Sequence, residues 1–117
     1  MVRAVLDEQH LHPAIRDRIS ALSEGLVAEV QAAIAKHRIV VVGMKQNPHV
    51  RRARKALGDK GLSFEYLEYG SYVSEWRRRN TLKMWTGWPT FPMVFVDGVL
   101  VGGANEVQSL IAAGELS

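Results

Sequence analysis

The chain is expected to fold as an α/β domain, a four-stranded mixed sheet flanked by helices, with an extra helix at its N-terminal end. Three features carry that expectation. Ile39-Val40-Val41-Val42 is a run of four β-branched residues set between two helical patterns. Asp97-Gly98 is a hairpin-turn dipeptide between two short apolar runs. The segments read in the order α-β-α-β-α-β-β-α, a βαβ unit followed by a helix, a hairpin and a closing helix.

Residues 1–12 are read as a tail and residues 13–117 as one domain. Pro13 suits a first helical turn, and Ile15, Ile19, Leu22, Leu26, Val30 and Ala33 recur at three- and four-residue intervals. They predict an amphipathic helix from about Pro13 to His37, loosened at Gly25. The β-branched run lacks alternation, so its strand should be covered on both faces. Gly43 to Pro48 reads as a loop, with Asn47 placed to cap a helix that begins at Pro48 and runs to about Leu57. Gly58 and Gly61 bracket its exit. Phe64, Tyr66 and Leu67 make a short second strand. Ser71 or Ser74 then starts a third helix through an arginine run towards Met84. Met93 to Val96 is a strand, and Val99-Leu100-Val101 returns antiparallel to it. Gly102-Gly103 opens a last helix from about Asn105 to Ala113, ended by Gly114.

The 117 residues suffice for one domain with its own core and are too few for two. Hydrophobic residues at 47% and charged residues at 23% are ordinary for a globular chain and argue against disorder. No apolar run approaches the roughly 20 residues needed to span a bilayer. The N-terminal stretch carries acidic residues and two histidines where a signal peptide needs an apolar core, so a cytoplasmic location is expected. The chain contains no cysteine. That excludes disulfides, thiolate metal sites, iron–sulfur clusters held by the chain's own sulfur, and cysteine nucleophiles. The net charge of +3 is mild, but Arg51, Arg52, Arg54 and Lys55 cluster, as do Arg77, Arg78 and Arg79. Such runs are first of all solvated helix faces.

Against this background one constellation stands out. Met44-Lys45 precedes a loop and helix start, and Arg79 to Lys83 lies on the third helix. Trp88-Pro89-Thr90-Phe91-Pro92 precedes the third strand, and Gly102-Gly103-Ala104-Asn105 opens the last helix. In this order the motifs resemble the glutaredoxins, a branch of the thioredoxin-like fold, and among them the monothiol group. The likeness covers nearly the whole chain. It implies a cis peptide bond before Pro92, leaving the polar backbone groups of Phe91 turned to a cleft where an extended peptide could pair like an added strand. It implies glutathione as the ligand. Lys45, Arg79 and Lys83 then stand on the side of a peptide carboxylate. Phe91 and Pro92 line the middle, and Gly103, Ala104 and Asn105 lie where the last helix offers free N–H groups to a second carboxylate. Taken singly, Pro92 is equally a strand start, Gly102-Gly103 a tight connection, and Trp88 a packing residue.

The departures from the family pattern concern the reaction itself. Its catalytic cysteine sits at the N-terminus of the helix after the first strand, where the helix dipole lowers the thiol pKa. Here the stretch reads Lys45-Gln46-Asn47-Pro48-His49-Val50. Aligned on the dithiol pattern, Asn47 takes the nucleophile's place and Val50 that of the resolving thiol. Aligned on the monothiol loop, a deletion is required and the replaced position is open. An amide does not attack a disulfide, so exchange by this chain's own side chains is excluded. Asn105 stands for the usual aspartate near the ligand's amino group, and Ala104 for a hydroxyl.

The expected function is therefore a glutaredoxin-like protein without a catalytic thiol, holding glutathione or a thiol-containing or acidic peptide partner non-catalytically. Whether it is an enzyme stays open, leaning to no. One alternative is an oxidoreductase or electron carrier using the thiol of bound glutathione or of a partner. A second is a basic interaction module; nucleic acid and membrane are not the expected partners, and the oligomeric state is not legible. His49 is read first as a polar residue at an exposed helix start, with a ligand or proton-carrier role as the rarer reading. His10 and His12 form an H-x-H pair that no further ligand residue supports, and no metal is expected.

Overall fold

A central strand, β1 (Ile39–Gly43), organises the sheet. It pairs in parallel with β2 (Glu65–Glu68) on one side and antiparallel with β3 (Met93–Val96) on the other, and β3 carries β4 (Val99–Gly102) at the far edge. The helices are α1 (Pro13–Lys36), α2 (Pro48–Asp59), α3 (Trp76–Thr86) and α4 (Ala104–Ala112), preceded by a 3-10 turn at Glu8–His10. The computed structural model describes residues 3–71 and 74–117, leaving aside the side chains at positions 8 and 19–24.

All five residues of β1 are buried, as its unbroken apolar run requires. Side chains alternate across the sheet, so Val40 and Val42 pack with Val30, Leu82 and Phe95 on one face. Ile39 and Val41 pack with Leu57, Val107 and Leu116 on the other. The first layer joins α1 and α3, and the second joins α2 and α4. The hairpin forms at the expected dipeptide: Asp97 (φ 52°) and Gly98 (φ 79°) both take the positive φ that the tight turn demands.

Close approach of α2 to the sheet depends on Gly43. A Cβ there would lie 2.7 Å from Val50 Cγ1 and 3.0 Å from Tyr66 Cε1. Its absence lets the first turn of α2 seat against the end of β1, which sets the position of Asn47 and His49.

Several expectations change in detail. α1 runs unbroken through Gly25, since tertiary contacts outweigh the modest cost of a helical glycine. Ile15, counted in its apolar stripe, is 43% exposed, whereas Val30 is fully buried and Leu26 and Ala33 flank the core. Ile19 and Leu22 lie outside the described side chains. α3 starts at Trp76, not at a serine. Ser74 Oγ instead accepts from the Ser71 N–H at 3.1 Å, and that local turn delays the helix until Glu75 has passed through a left-handed conformation. β2 begins at Glu65 rather than Phe64, α2 extends to Asp59, and α4 begins at Ala104. No helix among the described residues is long and apolar enough to cross a membrane.

Candidate functional site

Three walls enclose a cavity of about 210 Å³: the first turns of α2, the segment before β3, and the start of α4. The α2 wall begins with Asn47, which keeps an extended conformation while its Oδ1 accepts from the N–H groups of His49 (2.9 Å) and Val50 (3.1 Å). This satisfies two of the helix's orphan donors and engages the amide oxygen locally. One helical turn after Pro48 comes Arg52. Its Nη2 donates to Asn105 Oδ1 at 2.7 Å and meets His49 Nδ1 at 3.3 Å, so it ties α2 to α4 across the cavity.

The second wall hangs from the end of α3. Gly87 (φ 77°) closes that helix through an N–H bond to the Lys83 carbonyl (2.8 Å), and the Trp88 N–H donates to Thr86 Oγ1 (3.1 Å). Arg3 reaches the same helix end from the N-terminal segment, Nη1 donating to the Thr86 carbonyl at 2.8 Å and Nη2 to that of Trp85 at 3.3 Å. Phe91 and Pro92 follow, both buried, joined by a cis peptide bond.

The third wall is the turn from β4 into α4. Gly102 takes φ 121°, and the Gly103 N–H donates to Glu106 Oε1 at 2.8 Å, closing the first turn of the helix. A Cβ on Gly103 would sit 3.3 Å from the Pro92 carbonyl, 3.6 Å from Glu106 Oε1 and 3.7 Å from Trp88 Nε1. The three walls therefore meet over this glycine.

Of the residues expected at the site, Phe91, Pro92, Gly103, Ala104 and Asn105 line this one cavity, together with His49. Lys45, Arg79 and Lys83 do not line it. Lys45 is exposed, its backbone N–H donating to the Gly70 carbonyl at 2.7 Å. Lys83 Nζ lies 5.8 Å from the centre of the Phe91 ring. Arg79 is only 7% exposed, and its Nη1 donates to the carbonyls of Tyr69 (3.0 Å) and Ser74. At least one guanidinium nitrogen thus holds the backbone at Tyr69 and Ser74. Asn105 is exposed, with its Oδ1 engaged by Arg52.

Sequence reasoning passed over Arg52 and Glu106 and took Trp88 for packing alone. Arg52 lies three residues beyond His49, which places both on one helix face, but inside a basic run this spacing reads as solvated surface. Glu106 is the third residue of α4, the position from which a glutamate caps a helix start. Trp88 does pack on the core, yet it also lines the cavity. Among the described residues no group of three or more histidines and carboxylates could hold a metal ion. With no cysteine in the sequence, a cluster ligated by this chain's own thiolates does not fit.

A family model for glutaredoxin matches residues 39–101, from the first residue of β1 into β4. The chain belongs to the glutaredoxin family. Among glutaredoxin relatives, a glutaredoxin-like protein of Dictyostelium discoideum is 46% identical over 102 residues, covering 87% of this chain and 83% of that protein. A probable monothiol glutaredoxin 2 of Rickettsia prowazekii is 32% identical over 92 residues, 74% of this chain and 83% of its own length. The glutaredoxin fold is matched in the crystal structure of a buckwheat glutaredoxin–glutathione complex. Its TM-score is 0.73 at 22% identity, over 82% of this chain and 87% of that one. The chain has no cysteine, a condition consistent with a non-catalytic role.

Proposed function

We propose that this glutaredoxin-like protein holds glutathione, or a related acidic peptide, in the cleft between α2, the Trp88–Pro92 segment and α4, without thiol–disulfide exchange by its own side chains. The observation that carries the reading is a built cavity beside a helix start that is capped by Asn47 and carries no thiol. Phe91 and Pro92 form the proposed floor, and Gly103, Ala104 and Asn105 the end facing α4. Lys45, Arg79 and Lys83 are the proposed partners of the far carboxylate, outside the cavity proper. The buckwheat glutaredoxin crystallised with glutathione has the same fold, which supports this choice of ligand. The reading includes the cytoplasmic setting expected from the sequence.

Isothermal titration with reduced glutathione is the direct test, and saturable heat in the millimolar range is the expected result. No heat at that concentration would remove the proposal. A disulfide-reduction assay should give background turnover only; turnover clearly above it would favour an oxidoreductase that borrows the thiol of its ligand or partner.

A further inference from the structure

We infer that the outer edge of β4, together with the groove between β4 and α4, takes up an extended segment of a partner protein in which an apolar residue is flanked by basic ones. Only Glu106 lines both this groove and the cleft described above, and the inference stands whether or not that cleft holds a ligand.

β4 is the last strand of the sheet, and among the described residues nothing pairs with its outer side. Alternate N–H and C=O groups of an edge strand point outward, where an added strand can bond to them. The two edges of this sheet differ. β2 carries Glu65 and Glu68 at its ends; Glu65 meets His37 at 3.4 Å, and the Arg54 guanidinium covers the Tyr66 ring at 3.9 Å. Charges so placed discourage strand addition. β4 reads Val99-Leu100-Val101-Gly102, without charge or proline, and Val99 is 62% exposed.

Side-chain direction joins this edge to the groove. Val99 lies opposite Val96, and Val96 and Val101 pack on the sheet face that α2 and α4 cover, whereas Leu100 packs on the other. One flank of α4, at Gln108, Ile111 and Ala112, faces α2. The opposite flank, at Glu106, Ser109, Leu110 and Ala113, forms a groove of about 490 Å³ with Val101 and Glu115. Ligand-holding clefts run to roughly 300–1,000 Å³. The floor is apolar, with Glu106 in the first turn of α4 and Glu115 just beyond the helix end.

Charge decides the occupant. No cation lines the groove, and among the described residues neither Glu106 nor Glu115 has a cationic partner. Glu106 Oε1 accepts from the Gly103 N–H, which leaves its carboxylate charge unneutralised. Arg38, which reaches the chain end, is already engaged by Asp97 at 3.6 Å and by the Ser117 carbonyl at 2.9 Å. A bound strand sends alternate side chains to one face. Its residues i and i+4 stand roughly 13 Å apart, about the length of the nine-residue α4. Basic residues there reach the two carboxylates while residue i+2 packs on Val101 and Leu110. A second copy paired edge to edge would bring further carboxylates and no cation to meet them, so the partner is a different chain.

The test titrates a blocked peptide into the isotope-labelled full chain and follows the backbone amides by NMR. The peptide carries lysine, valine and lysine at alternate positions, with threonine between and outside them. Saturable shifts from Val99 to Gly102 and from Ser109 to Ala113 are expected, and none of these with glutamates in place of the lysines. Glu115→Lys should weaken binding about fivefold. Val99→Lys puts a charge on the edge and should weaken it as well. Both positions are exposed, the amide spectrum reports whether each variant folds, and the comparison of the two peptides on the wild-type chain stands if one does not. Equal binding of the two peptides, or full affinity in a folded Glu115→Lys, would overturn the inference. So would a lack of saturable shifts at millimolar peptide, or sedimentation of the free chain as a dimer whose β4 amides resist hydrogen exchange.

Discussion

The backbone N–H of Val50 donates to the side-chain oxygen of Asn47 at 3.1 Å, so the start of α2 is closed by a helix-capping hydrogen bond between two residues that carry no sulfur. A cap needs an acceptor and nothing ionisable. The same backbone donors that would stabilise a thiolate at a helix start here stabilise a neutral amide.

Asn47→Ala should lower stability by about 1 kcal/mol, read from a urea midpoint. Asn47→Cys should introduce a thiol whose pKa falls below the ordinary value of about 8.5, because it stands at the N-terminus of α2. Alkylation rate against pH measures this directly. A midpoint at or above the free-thiol value would show that the helix start no longer favours an anion.

Arg79 should prove a structural clamp. Its Nη1 serves the carbonyls of Tyr69 and Ser74 in a buried setting, so Arg79→Ala leaves those acceptors unmatched. The expected cost is about 2 kcal/mol. An unchanged denaturation midpoint would exclude the clamp.

Two glycines should respond in opposite directions. Gly102→Ala forces a side chain into φ 121° and towards Glu106, with the added Cβ 2.6 Å from Cγ and 2.7 Å from Oε1. The variant should lose about 2 kcal/mol and loosen the Gly103–Glu106 cap. Gly58→Ala lies within α2 with open space around it and should be neutral or stabilising by up to about 1 kcal/mol. Thermal melts of the pair decide the matter, and equal shifts would contradict the geometry.

Stability should fall in alkali. Burial first, then the hydrogen bond from Tyr66 Oη to Glu68, pushes the Tyr66 phenol up to about 12, against the pull of Arg54 stacked 3.9 Å from the ring centre. The folded pKa lies above the unfolded value of 10.0, so folding favours the protonated phenol. That contribution is intact below about pH 10 and is lost as pH rises towards about 12. Tyr69 is shifted in the same direction, by burial first and then by Glu29. Urea midpoints measured across this range should drop, and Tyr66→Phe should make the drop shallower. An identical slope in the variant would assign the effect elsewhere.

Much of this molecule could be read from local pattern, because the physics there is local. An unbroken β-branched run needs cover on both faces, Asp97-Gly98 accommodates two positive φ angles, and an asparagine before a proline caps a helix. β1, the hairpin and the start of α2 all follow from such short-range rules. The absence of cysteine, and with it of thiol–disulfide exchange by the chain's own thiols, needed no structure either. Other features depend on distant segments meeting. The start of α3 was missed because the Ser74 hydroxyl turns back to Ser71 instead of capping the helix. Arg79 and Arg52 look alike as members of basic runs. One is drawn to the carbonyls of Tyr69 and Ser74, and the other is drawn across to Asn105, 53 positions further along the chain. Only the docking of α4 beside α2 decides that the half-buried Arg52, on a polar helix face, lines a cavity and meets Asn105, since burial is a property of neighbours and not of the residue alone.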